Sequence, residues 1–386
     1  MPSHLGGSSE PGGDATSGVC RSILDTVGRT PLIRLGALAD GLAATLLIKL
    51  ESENPGGSVK DRVALALIAK AERQGDLSPG GTIVEATAGN TGTGLAIAAA
   101  VKGYKCVCVI PDKMSVDKIR LLQAYGAQVV VTPTHVPADS PESYHRVADR
   151  LACELAGAWR SDQFADPANP AVHYSATGPE IWSQTQGRVS ALVAGVGTGG
   201  VISGVGRYLK DQNPAVTVVG ADPEGSTLSG DVLRPWKVEG IGGDFEPDTF
   251  DCDVVDRWIR VSDRESLTTA RLLARREGLL VGGSTGTAVA AARRYAAELT
   301  SDDWVVILGA DTGRNYLSTF FDDEPADGPS AGPSVESSGG FSAESSTGPS
   351  GESSAESSVR PGAESGAGPS VRRNRSGSRA LPTRGH

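Results

Sequence analysis

Short strand-like apolar runs alternate with longer helix-like runs from Leu46 to Leu308, the pattern of an α/β architecture. Thr82–Val84, Lys105–Ile110, Ser190–Ala194 and Val216–Gly220 read as strands; Val63–Glu72, Leu95–Val101 and Ile202–Asp211 read as helices. The pattern lapses at both ends. The first nineteen residues are Gly/Ser-rich with little charge and no apolar core, so residues 1–19 are expected to be a loose, disordered arm and not a signal peptide. From Glu324 the chain turns to Ser, Gly, Pro, Ala and Glu, with Phe341 and Leu381 almost the only large apolar residues. Such a segment cannot bury enough surface to offset its ordering entropy, so residues 324–386 are expected to be a disordered tail.

Composition narrows the class. The 386 residues suffice for two lobes with a substantial core. No run of about eighteen apolar residues occurs, which predicts no membrane span, and the default location is cytoplasmic. A net charge of −10 argues against a nucleic-acid partner. Five cysteines are scattered except for Cys106 and Cys108, whose C-x-C spacing lacks a second ligand pair, so buried or idle thiols and no metal are expected. His173 reads as structural. In the tail, Glu-Ser-Ser echoes at Glu336, Glu344, Glu352 and Glu356 precede Arg372, Arg373, Arg375, Arg379 and Arg384. They suit a solvated tail or a tether for an acidic partner of unknown identity.

Three segments carry candidate chemistry. Lys60 stands in Asn54-Pro-Gly-Gly-Ser-Val-Lys-Asp-Arg62, directly before a helical run; a desolvated amine there forms a Schiff base, whereas the alternative is a charged first helical turn. Glu85 to Gly94, between a strand and a helix, joins small residues to free helix N–H groups able to hold a carboxylate, and Asn90 adds an amide for a ring oxygen. Gly195-Val-Gly-Thr-Gly-Gly200 opens a helix and makes a phosphate cradle. Gly195-x-Gly197-x-x-Gly200 with Asp222 also matches a dinucleotide fingerprint. That reading leaves Lys60 and Asn90 idle, whereas a phosphate-bearing aldehyde cofactor uses all three segments.

With these residues in place, the stretch from Ile23 to Asp323 resembles the pyridoxal-phosphate-dependent cysteine synthase and cystathionine β-synthase family, of the tryptophan-synthase-β type (fold type II). The resemblance rests on Gly28-Arg-Thr-Pro-Leu32, Asn54–Arg62, Thr87–Gly92, Gly197–Gly200, Glu239-Gly-Ile-Gly242 and Gly282-Gly-Ser-Thr-Gly286. It implies a two-lobed, three-layer α/β/α enzyme: a large lobe of residues 20–58 and 164–323, and a small mobile lobe of residues 59–163. It implies Lys60 as the Schiff-base and catalytic residue, Asn90 at the phenolic oxygen, Gly197, Thr198, Gly199 and Gly200 at the phosphate, and Ser284 at the pyridine nitrogen. Thr87, Ala88, Thr91 and Gln163 match positions gripping the substrate carboxylate, with Gly240 beside them.

The implied reaction is β-replacement on L-serine or O-activated serine. Lys60 removes the Cα proton, the β-substituent leaves, a thiol or sulfide adds to Cβ, and Lys60 returns the proton. Features of both branches are present. Pro111–Ser115, Asp139–Ser143, Asp222–Ser226, Val238–Phe245 and Gly313–Leu317 look like cystathionine β-synthase, whereas Pro167–Pro170 and Thr177–Trp182 look more like cysteine synthase. The balance favours the former. Phe164 and Gly243 stand where the vertebrate-type pattern has tyrosines, and Ala88 and Val201 where relatives carry hydroxyls, which points to an acylated or phosphorylated serine donor. The resemblance further implies a homodimer. It leaves open a serine/threonine dehydratase and a paralogue serving mainly as a binding partner; it gives no basis for a haem or a nucleotide-sensing module.

Overall fold

The computed structural model describes residues 19–321 except Ala88 and Ala138. The expected arm, apart from Val19, the expected tail and Ala88 lie outside the described residues.

Among the described residues ten strands form two sheets: β1 Leu32–Arg34, β2 Thr45–Leu50, β3 Thr82–Ala86, β4 Lys105–Pro111, β5 Gln128–Thr132, β6 Ala158–Arg160, β7 Val189–Gly195, β8 Thr217–Pro223, β9 Arg257–Val261 and β10 Trp304–Gly309. The larger sheet has the order β1-β2-β10-β7-β8-β9, the smaller β5-β4-β3-β6. Among the described residues β1–β2 is the only antiparallel pair of strands. Nine α-helices lie among the described residues: α1 Lys60–Gln74, α2 Asn90–Lys102, α3 Val116–Ala124, α4 Tyr144–Glu154, α5 Ala168–Val172, α6 Gly178–Thr185, α7 Gly200–Gln212, α8 Asp263–Leu272 and α9 Gly283–Ala296.

Parallel strands buried on both faces must be apolar at successive positions, and here alternate residues feed different cores. In the larger sheet Leu46, Ile48, Val193, Val305 and Ile307 pack with Ala288, Val289 and Ala292 of α9. Their neighbours Leu47, Leu192, Val306 and Leu308 face Ile181 of α6 and Ile202 and Val205 of α7. The smaller sheet divides likewise. Ile83, Cys106, Cys108 and Ile110 meet Ala64 and Ile68 of α1, Leu95 of α2 and Leu122 of α3, whereas Val84, Val107 and Val109 meet Val147 and Ala148 of α4. Each sheet is thus the middle layer of an α/β/α sandwich. The C-x-C thiols fill one of these cores, Sγ to Sγ 3.8 Å. Their mutual hydrogen bond and burial push the Cys108 thiol well up, so it stays protonated and inert.

One charged cluster ties the start of α1 to the larger sheet. Arg62, 3 % exposed, donates to Glu51 (2.7 and 2.9 Å) and to Glu180 (2.7 and 2.8 Å). Lys49 on β2, wholly buried, donates to Glu180 (2.7 Å), Gln184 (2.9 Å) and the Thr30 carbonyl (2.7 Å). Thr30 and Asn54 complete the shell of Glu51 at 2.7 and 2.8 Å. The motifs Gly28–Leu32 and Asn54–Arg62 therefore meet in one network. Although burial alone would raise it, the bonds from Arg62 and Lys49 hold the Glu180 carboxyl down at about 2. A depressed carboxylate contributes stability above its unfolded value, roughly 4.3, and loses it as pH falls towards the folded value. Acid unfolding of the wild-type chain is therefore expected to steepen between roughly pH 4 and 2, and Glu180→Gln should flatten that limb. Denaturant midpoints measured across this range check both statements. Arg62→Met removes the charged partner of the buried Glu51 carboxylate and leaves half-buried Glu180 with Lys49 as its charged partner, and should cost about 3–5 kcal/mol at neutral pH.

Candidate active site

The candidate residues gather where strands end. In open α/β sheets, ligands sit at the carboxyl ends of parallel strands, because the following loops and helix N-termini converge there. Here β2 leads through Asn54 to α1, β3 to the Asn90 loop and α2, β7 to Gly197–Gly200 and α7, and β10 to Ala310–Thr312.

Lys60 begins α1 instead of preceding it, because the Ser58 hydroxyl accepts its backbone N–H (3.2 Å) and Ser58 O that of Asp61. The charged-first-turn reading is thus correct for position but not for solvation, since Asp61 and Arg62 are both buried. The Lys60 side chain keeps a partly open face, yet its amine donates no hydrogen bond to any described residue. Burial pulls its pKa below the ordinary lysine range, opposed by the charge of Asp311.

Asn90 is the first residue of α2 and is clamped at both ends of its amide. Its Nδ2 donates to Asp311 Oδ2 (2.8 Å), and Asn315 Nδ2 donates to its Oδ1 (3.4 Å). Next to it, the Thr91 hydroxyl donates to Gln163 Oε1 (2.6 Å), which leaves the Gln163 Nε2 hydrogens for another acceptor. The Thr87 oxygen accepts from the N–H groups of Gly89 (3.2 Å) and Gly92 (3.3 Å), so Thr87 holds the loop's shape while its hydrogen stays free. Thr87, Thr91 and Gln163 are all buried.

At the third segment Gly199 caps α7 with φ 78°, backed so closely by Phe250 that a side chain would not fit. Thr198 is gripped from behind. Asn169 Nδ2 donates to its hydroxyl (3.0 Å) and to the Gln163 carbonyl (2.9 Å), and the Thr249 hydroxyl donates to the Thr198 carbonyl (2.6 Å). Gly240 abuts this loop: Gly242 N–H bonds Val196 O (2.8 Å) in the same strap. Ser284 lies in the first turn of α9, 6 % exposed.

The structure thus brings Asn90, Thr91 and Gln163 into one linked group and Gln163 and Thr198 into another, and the charge of Asp311, which accepts from Asn90, acts on Lys60. Asp222, the acidic partner in the dinucleotide reading, is wholly buried in β8 and accepts from Ser229 N–H (3.1 Å). His173 is also wholly buried, hydrogen-bonded to Thr177 (3.0 Å), and desolvation and the Lys60 charge push its pKa well down.

Sequence reasoning gave no site role to Asp311, Asn315, Asn169, Thr249 or Lys118. Asn169 and Asn315 stood within the branch motifs Pro167–Pro170 and Gly313–Leu317, and Asp311 left a trace as a carboxylate just past the apolar run of β10, where ligand-facing groups collect. Lys118 of α3 also belongs here; it pairs with Glu239 (2.5 Å) and lies 4.5 Å over the Tyr316 ring.

A desolvated amine with its pKa lowered and no hydrogen bond to a described residue, an amide with one nitrogen hydrogen to spare, a glycine-capped helix N-terminus and a buried hydroxyl form a donor set that fits an anionic aldehyde cofactor with a phosphate. Comparison with known proteins agrees. Residues 23–310 match the family model described as pyridoxal-phosphate-dependent enzyme. The chain belongs to that family, and its cofactor is pyridoxal phosphate. It is 47% identical over 315 residues to cystathionine beta-synthase of Apis mellifera, covering 80% of this chain but 62% of the relative, so it spans less than two thirds of that protein. Among solved structures it resembles O-ureido-L-serine synthase (TM-score 0.75, 39% identity, 80% of this chain and 98% of the other). It also resembles O-acetylserine dependent cystathionine beta-synthase from Helicobacter pylori (TM-score 0.73, 36% identity, 78% and 98%).

Because a lowered pKa leaves more of an amine neutral at a given pH, cofactor-free protein should be acylated at Lys60 at a lower pH than at a solvated lysine. Peptide mass spectrometry after brief labelling across pH 7 to 10 checks this, with Lys105, on an exposed strand end, as the reference.

Proposed function

We propose that this chain catalyses β-replacement on L-serine or an O-activated L-serine by a thiol, with homocysteine as the acceptor and cystathionine as the product. The observation that carries this reading is the desolvated Lys60 amine, free of hydrogen bonds to described residues and acted on by the charge of Asp311, the carboxylate that also accepts from Asn90. Supporting it are the cystathionine β-synthase relatives at 42% to 47% identity.

Bound pyridoxal phosphate supplies an electron sink for charge developing at the substrate Cα. Around it, the N–H groups at the start of α7 and the Thr198 hydroxyl hold the phosphate, Asn90 the phenolic oxygen and Ser284 the ring nitrogen. A hydroxyl at that nitrogen, in place of a carboxylate, keeps the sink weak and favours prompt loss of the β-substituent. Gln163 Nε2, Thr91, Thr87 and Ala88 bind the substrate carboxylate and so orient Cα towards Lys60. The Lys60 amine takes the Cα proton, keeps it while the β-substituent is exchanged, and returns it to Cα. Residues 59–163 act as a small lobe that closes on residues 20–58 and 164–323, and the Lys118–Glu239 pair joins the two sides in the closed state. The active form is a homodimer, as the family resemblance implies, and its default location is cytoplasmic.

A second reading, with O-acetylserine or O-phosphoserine as donor and sulfide as acceptor, draws on Ala88 and Val201, which lack hydroxyls for a free serine, while the O-acetylserine dependent cystathionine beta-synthase bears on the donor alone. Product analysis with serine, O-acetylserine and O-phosphoserine, each against homocysteine and sulfide, separates the two. Cystathionine as the main product supports the first reading, cysteine the second, and no product from any pair refutes both. Lys60→Ala should abolish turnover and the mass increase that borohydride reduction fixes on the wild-type chain. Gln163→Ala should raise the KM for the donor about tenfold or more, the worth of one hydrogen bond to a charged group.

A further inference from the structure

We propose that Asp311 is a positioning residue that fixes the orientation of the Asn90 amide and thereby its hold on the cofactor's phenolic oxygen. This rests on the role given to Asn90 above.

A side-chain amide has two faces of opposite polarity, and only one suits an anionic oxygen. Asp311 decides which face is presented. It is 2 % exposed, and its Oδ2 receives two donors, Asn90 Nδ2 at 2.8 Å and Tyr316 Oη at 2.7 Å. An oxygen with two donors on it is an acceptor, so it selects the nitrogen of Asn90. At the other end Asn315 Nδ2 lies 3.4 Å from the oxygen of Asn90, in keeping with that choice. One Asn90 hydrogen is consumed by Asp311 and the second remains for the phenolic oxygen. A flipped amide would set its carbonyl against the Asp311 carboxylate and the phenolic oxygen together.

The main chain places Asp311 among the other contributors. It bridges to Ser58, two residues before Lys60, and the Val59 N–H bonds Ala310 O (2.9 Å). Gly282 N–H bonds Asp311 O (3.2 Å) at the cap of the helix that carries Ser284. Gly282 must stay glycine, because a Cβ there would overlap Asp311 Oδ1. Tyr316 is held in turn by Lys118 across its ring. Asp311 thus joins by backbone the segments bearing Lys60 and Ser284, and by side chain Asn90.

The test is a double-mutant cycle on cofactor affinity, measured by equilibrium dialysis of the full chain against pyridoxal phosphate. Asp311→Asn replaces the acceptor oxygen with an isosteric group that can point a nitrogen at Asn90. It should weaken binding about tenfold, as for loss of one hydrogen bond, and shift the visible band of the bound cofactor. Asn90→Ala should weaken binding at least as much, and the double variant should be no worse than Asn90→Ala alone. Additive losses would overturn the proposal, since a general structural role for Asp311 would act regardless of Asn90. If Asn90→Ala weakens binding and Asp311→Asn does not, the role of Asp311 fails and that of Asn90 stands; if Asn90→Ala has no effect, both fail. Should Asp311→Asn not fold, Tyr316→Phe keeps the charge and frees the carboxylate. It should show a smaller loss that again vanishes in the Asn90→Ala background, and a loss that persists there overturns the proposal.

Discussion

The site hangs on a guanidinium. Arg62 lies two residues beyond Lys60 on α1, and its donors are divided between Glu51, just past β2, and Glu180 of α6. A buried ion of this kind persists only when every neighbour answers it, because an unpaired charge in the interior costs several kcal/mol. Lys49, Thr30, Asn54 and Gln184 provide those answers. The pitch and direction of the first turn of α1 are thereby fixed from below. A lysine carried on that turn is aimed by the sheet and not by its own solvated contacts, which is why its amine can do without a hydrogen bond to a described residue.

Much of this arrangement was legible in the sequence, for local reasons. The glycine run at Gly197–Gly200 follows a strand and opens a helix, and the Asn90 loop does the same, so their places at strand ends follow from the chain alone. The extent of α1 was legible only as one of two alternatives. Lys60 stood either ahead of the helical run or in a charged first turn, and backbone bonding at Ser58 decides for the turn, starting the helix three residues before the apolar run begins. The burial of Arg62 was hidden, because its partners lie 11 and 118 residues away.

Asp311 shows the limit more sharply. Its partner Asn90 is 221 residues distant, and its backbone contacts belong to two further segments. No spacing rule registers such a meeting; it exists only once both sheets have formed. Asn169 and Thr249 escaped for a similar reason, since each serves the phosphate loop from outside it. Ordinary-looking polar residues of this sort set the geometry that the conspicuous motifs use.

The amide of Asn169 has a consequence for how this surface can change. Its two nitrogen hydrogens are both committed, one to the Gln163 carbonyl and one to the Thr198 hydroxyl. Nothing is left over to compensate an exchange. An apolar residue at 198 leaves one hydrogen stranded in a wholly buried place, and a shift of the chain at 163 strands the other. Positions 169 and 198 are therefore a single unit of inheritance, because a change of side chain at one needs a matching change at the other, whereas at 163 any residue that leaves the main chain in place keeps its bond.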